Sequence, residues 1–304
     1  MTRRGGCGVL LAVDVGNSHT VLAAFEGARL VDQWRVRTQR GATSDELGMT
    51  AGVLLGQRGL SLAGVAGLVV GSVVPSLRAA WGELGRRRVG CEVLVVEAGL
   101  RTGLRLAVDR PGEVGADRIA DGLAAWRLHG APVIVVDCGT ATTVDAISAD
   151  GRYLGGAIAP GIGVSYEALV ASAALLQAVE VGMPARALGA NTADQMRSGL
   201  IFGCAGQIDA LVDRIRAEMG GAELVVATGG WASAIVPASR TIDRCDPLLT
   251  VQGLRLIFEA CGGAAAPGGP SRSQEEAATA GRTDAHRAAP RSETQPAPSE
   301  EVPR

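Results

Sequence analysis

Asp14-Val15-Gly16-Asn17-Ser18-His19-Thr20-Val21 and Asp137-Cys138-Gly139-Thr140-Ala141-Thr142-Thr143-Val144 decide how this chain is read. The two octets align without gaps, and Asp, Gly, Thr and Val coincide at four of the eight positions. Each follows an apolar run and leads into a second strand-like run, the mark of a duplicated sheet-and-helix unit. A strand that ends on a carboxylate and turns through Gly lets a ligand approach backbone N–H groups. Asn17, Ser18, Thr140 and Thr142 add short polar side chains. Two such turns facing each other across a cleft suit the phosphates of a nucleotide, with Asp14 and Asp137 holding cations by oxygen ligation. Taken singly, each turn is equally a plain hairpin; the matched pair favours the phosphate reading.

Outward from the first octet, strand patterns cover Gly8–Val13, Val21–Phe25 and Leu30–Arg37, joined as a meander. A helix opens at Ser44 or Asp45. A buried strand follows at Gly67–Val74, then a helix over Ser76–Arg87 and a strand over Glu92–Val96. Around the second octet the plan repeats. A helix covers Ala116–Leu128, and strands cover Val133–Asp137, Thr142–Ser148 and Tyr153–Ile158. Helices are expected over Val164–Gln177, Thr192–Glu218 and Thr250–Ala260. A strand over Glu223–Ala227 runs into a third Gly-rich turn, Thr228-Gly229-Gly230. From Gly262 to Arg304 the only large aliphatic is Val302, and the segment reads as a disordered tail.

Composition narrows the chemistry. The chain has 304 residues, 47% hydrophobic and 20% charged, which supplies ample core for about two domains. Net charge is -2, against a nucleic-acid binder. All 29 basic residues are Arg, so no Walker lysine, kinase lysine or Schiff-base lysine exists. Phosphate must be held by backbone amides, hydroxyls, Arg or a metal. Six scattered Cys without a C-x-x-C pair, and three His, disfavour zinc and suggest a reduced, cytoplasmic protein. The apolar run Val9–Val13 is too short for a signal peptide, and no segment has the length of a membrane span.

Glu113-Val114-Gly115-Ala116-Asp117-Arg118 lies at a helix start. Asp117 there is either a cap or a general base acting on an alcohol, with Arg118 gripping an anionic substrate. Asn191-Thr192 before the long helix is likewise a cap or a substrate contact.

Taken together, these motifs resemble the type III pantothenate kinases, of the actin, sugar-kinase and heat-shock-chaperone ATPase superfamily. Asp14–Val21, Gly71–Pro75, Glu113–Arg118, Asp137–Asp145, Gly155–Gly161, Asn191-Thr192 and Thr228–Gly230 occur in family order from Leu10 to Ala260. Gly-Ala-Asp-Arg followed by Asp-x-Gly-Thr-Ala-Thr-Thr-x-Asp is the most specific part. The resemblance implies an α/β fold of two duplicated actin-like (ribonuclease H-like) domains, each a mixed sheet flanked by helices, with the nucleotide cleft between them. The corresponding ranges are 1–112 and 113–261, followed by the tail at 262–304. It implies ATP-dependent phosphorylation of pantothenate at its 4′-hydroxyl, the first step toward coenzyme A, by a homodimer. Mg2+ with ATP and a monovalent cation, K+ or NH4+, are implied as cofactors. Carried over, Asp14, Val15, Gly16, Asn17, Ser18, His19, Thr20, Val21 and Thr140 would bind ATP, with Asp14 also near Mg2+. Asp137 would bind the monovalent cation. Val108, Gly115, Ala116, Asp117, Arg118 and Thr192 would bind pantothenate, with Asp117 as proton acceptor. Val108 stands where many members have Tyr, Ala190 where many have Lys, and Ser172 where Thr is frequent. A nucleotide-binding regulator without catalysis and another small-molecule kinase of the same fold are the competing functions.

Overall fold

The computed structural model describes residues 8–222 and 224–263; nearly all of the expected tail lies outside them. The first sheet contains β1 (Val9–Val15), β2 (His19–Glu26), β3 (Arg29–Arg37), β4 (Val65–Ser72) and β5 (Glu92–Val95) in the order β3-β2-β1-β4-β5. The second contains β6 (Arg105–Leu106), β7 (Val133–Cys138), β8 (Ala141–Ile147), β9 (Arg152–Pro160), β10 (Leu224–Thr228) and β11 (Arg244–Cys245). Its order is β11-β10-β7-β8-β9-β6. Read from β9 to β11, the second sheet repeats the first. In both, the opening hairpin and meander are antiparallel, and the next two strands join in parallel. The duplication expected from the two octets is therefore present in the topology.

One detail departs from the gapless alignment. In the first hairpin Val15 pairs with Thr20, leaving four residues in the turn. In the second Cys138 pairs with Thr142, leaving three. The closing bonds differ accordingly: Gly16 N–H donates to the His19 carbonyl, and Gly139 N–H to that of Ala141. A one-residue slip moves every later side chain to the opposite sheet face. Thr20 is buried against Thr38, whereas its aligned partner Thr143 lines the cleft. Val21 lines the cleft, whereas its aligned partner Val144 is buried in the outer core.

Helices cover both faces of each sheet. α1 (Ser44–Gly56) and α2 (Pro75–Leu84) close the outer face of the first sheet over Leu11, Val13 and Leu68, with Trp81 of α2 buried among them. α1 begins at Ser44, one of the two expected openings, with Thr43 as the N-cap in a capping box with Glu46. α3 (Ala116–Ala124) and α7 (Leu249–Ala260) fill the space between the sheets, where Phe25, Ile119, Leu123, Tyr153, Leu254 and Phe258 are buried together. These two helices cross closely because residue 253 is Gly; a Cβ there would strike the Ala120 carbonyl. α4 (Ile162–Ser172), α5 (Thr192–Glu218) and α6 (Ala232–Ile235) cover the outer face of the second sheet around Ile201, Ile208 and Val225. α2 and α3 each finish in a π turn, Gly85–Val89 and Ala125–His129, so both regular helices are shorter than expected. α4 also ends before the expected Gln177. No helix among the described residues is long and apolar enough to cross a membrane.

Candidate active site

The two Asp-Gly turns meet. Ser18 Oγ lies 3.1 Å from Thr140 Oγ1, joining the first turn to the second. Behind the first turn, Thr38 Oγ1 donates to the Gly16 carbonyl at 2.8 Å, and Arg40 donates to Asn17 Oδ1 at 3.1 Å. The third turn sits against the second. Thr228 of β10 pairs in parallel with Asp137, and Trp231 N–H donates to the Cys138 carbonyl at 3.0 Å. Gly229 takes a positive φ of 93°, and a Cβ there would strike the Asp137 carboxylate, so only Gly permits this packing.

Around these turns lies a cavity of about 750 Å³, within the range of roughly 300–1,000 Å³ usual for small-molecule sites. Asp14, Gly16, Asn17, Ser18, His19, Val21, Asp117, Asp137 and Thr140 all line it. Val15 and Thr20 do not; both are buried behind the turn. Asp117 stands in the first turn of α3, whose N-cap is Gly115. The Asp117 carboxylate is therefore not the cap. Its Oδ1 accepts the Arg118 N–H at 2.8 Å while the group borders the cavity. Ala116 is buried beneath it.

Arg118 is already engaged. Its Nη2 donates to Asp145 Oδ1 at 2.5 Å and its Nε to Oδ2 at 3.1 Å. Tyr153 Oη and Thr143 Oγ1 also donate to Asp145, at 2.6 and 3.1 Å. Val108 packs against the central core beside Gly155, and Thr192 is exposed at the start of α5, capped by Asn191. Neither lines the cavity formed within this chain. His129 lies away from it too, with Nε2 2.8 Å from Asp246 Oδ2.

The electrostatics favour cations. Burial, then the charges of Asp117 and Asp137, push the Asp14 carboxyl up to about 8. Burial, then Asp117 and Asp145, push Asp137 up to about 7. Asp117 is raised chiefly by burial. One turn along α3, Asp121 is raised well above the usual carboxylate range by burial and Asp137, and its Oδ1 has no hydrogen-bond partner. Concentrated carboxylates of this kind fit a cation, which relieves both their repulsion and their desolvation. Among the described residues no three His, Cys, Asp or Glu side chains converge as a ready ligand set. A metal at Asp14 and Asp137 would therefore complete its shell with water and nucleotide phosphate, the habit of Mg2+.

Several lining residues carried no role in the sequence reading. Arg35 and Gln33 come from β3, Glu167 from α4, and Thr250 from α7. Gln33, Arg35 and Arg37 alternate along β3, and that period-2 polar face was the available signal. Asp121 had one as well: it stands four residues after Asp117 on a helix otherwise buried among apolar groups.

Comparison with known proteins follows the same line. Residues 10–214 match the family model described as type III pantothenate kinase. A type III pantothenate kinase of Moorella thermoacetica is 48% identical over 251 residues, covering 83% of this chain and 99% of the relative. One from Frankia alni is 47% identical over 255 residues, with 83% and 99% covered. In fold, the chain is similar to component A of the (R)-2-hydroxyglutaryl-CoA dehydratase of Acidaminococcus fermentans. There the TM-score is 0.53 at 15% identity, covering 85% of this chain and 99% of the other. With a family model matched over most of its length and relatives this similar over 83% of it, the chain belongs to the type III pantothenate kinases, a family of phosphotransferases.

Proposed function

We propose that this chain transfers the γ-phosphoryl group of ATP to the 4′-hydroxyl of pantothenate, with Asp117 as the general base. The observation that carries this reading is that Asp117 borders the same cavity as both Asp-Gly turns. The turns bind the phosphates, and Asp117 accepts the hydroxyl proton as the new P–O bond forms and ADP departs. Burial raises Asp117 toward the working pH, which suits a base. Arg118, fixed by Asp145, presents its remaining donors to the pantothenate carboxylate. Asp14 would hold Mg2+ through water or the phosphates, and the ion would supply charge neutralisation for the transferring group. A K+ or NH4+ ion at Asp137 belongs to the same reading.

The chain acts as a cytoplasmic homodimer. Ile158 of β9 is 66% exposed, Leu175 94% and Leu188 80%, and Val164 and Leu169 of α4 are exposed beside them in sequence. A run of large apolar side chains this exposed calls for a partner surface. A second copy would also bring Thr192 to a substrate that its own chain does not reach.

An ADP-release assay with Mg-ATP and pantothenate, with and without K+ or NH4+, tests the reading. Pantothenate-dependent turnover is expected, and Asp117→Asn lowers kcat by about 10²–10⁴-fold while the protein stays folded. Sedimentation should give about twice the 30.9 kDa chain mass. ATP binding without turnover would instead favour a nucleotide-binding regulator, and full activity in Asp117→Asn would remove that residue from the chemistry.

A further inference from the structure

Among the residues lining the cavity, Asp14, Asp117, Asp137 and Glu167 carry carboxylates, and Arg35 is the one guanidinium. ATP brings further negative charge into that setting. The chain contains no Lys, Arg118 is tied to Asp145, and Arg40 donates to Asn17 outside the cavity wall. Arg35 pairs across the ladder with Val21, directly after the first phosphate turn. Its side chain spans the cleft to the third turn, so that a Cβ on Gly230 would come within 2.8 Å of Nη1. It thus lies over the space framed by all three turns. Its charge is close enough to both Asp14 and Asp137 to favour their ionised forms. Among the described residues, no hydrogen bond or ion pair to another side chain occupies its planar fork, which matches two oxygens of a phosphate.

We propose that Arg35 is a catalytic residue that grips the terminal phosphates of ATP and stabilises the transferring phosphoryl group. This rests on the kinase reading above. The balance is that of the transfer already written: Arg35 keeps its proton, and its donors follow the negative charge from the γ-phosphoryl oxygens to the leaving ADP.

The test combines kinetics with calorimetric binding of AMP, ADP and ATP to the full chain. Arg35→Ala should lower kcat by about 10²–10³-fold. It should weaken ATP more than ADP and leave AMP within about twofold, since AMP lacks the phosphates in question. Arg35→Lys, which keeps charge without the fork, should recover part of the rate, and added guanidinium ion should partly rescue Arg35→Ala. Unchanged kcat and ATP affinity in Arg35→Ala would overturn the assignment. Equal weakening of AMP and ATP would overturn it too, because the residue would then only shape the cleft. If the wild-type chain ignores pantothenate but Arg35→Ala still loses ATP selectively, the phosphate contact stands and the substrate reading falls.

Discussion

Asp145 is the acceptor on which four neighbouring donors converge: two Arg118 nitrogens, the Tyr153 phenol and the Thr143 hydroxyl. The pair is nearly sealed, with the Asp145 side chain 3% exposed and that of Arg118 16%. Removing one member of a buried pair costs more than the pair contributes, because the survivor stays buried and uncompensated. Asp145→Ala should therefore destabilise the protein by about 3–5 kcal/mol, read from urea unfolding. A loss below about 1 kcal/mol would mean that water reaches Arg118 freely. Asp117 and Arg118 were legible in the sequence as a motif at a helix start. The engagement of Arg118 was not, because its partner lies 27 residues away and faces it only through the register of β8.

At the scale of elements, long periodic segments were legible and contacts between them were not. The limits of α5 agree with the sequence reading residue for residue, since Asn191 announces its start and the apolar positions continue to its end. β6 and β11, two residues each, carry no period and were missed. The crossing of α3 and α7 was equally hidden, because Gly253 in an amphipathic helix reads as a weak helix former rather than as a point of contact. Gly253→Ala raises helix propensity yet should destabilise by about 1–3 kcal/mol, the cost of overpacking. A thermal melt of the variant decides between these effects, and a higher Tm would show that the helices can part without penalty.

In the whole molecule, the duplicated frame brings like charges together, and this sets a pH dependence. Asp14 and Asp137 move from 3.8 in the unfolded chain to about 8 and about 7 in the fold. Below 3.8 both are protonated in either state and cost nothing. As pH rises toward 8 the unfolded chain releases these protons first, so the ligand-free fold loses stability across that window. Asp150 is held down at about 2, so its opposite contribution falls below the window. Tm should decline from pH 4 to pH 8 without cations, and Mg2+ should flatten the decline; a Tm that climbs over this range would contradict the assignment. The duplication itself was legible in the octets, but the single-residue difference between their turns was not, since it leaves the alignment free of gaps. Its outcome is a division of labour between two copies of one design. The shorter turn brings Thr143 and Asp145 onto the working side, while the longer one brings Val21 and Ala23 there. Shifting β8 by one residue, so that Thr143 rather than Thr142 pairs with Cys138, would restore the four-residue turn yet exchange inside for outside along β8, stranding Arg118 without its counter-ion. The smallest possible slip is thus enough to turn a working half into a copy of its sibling.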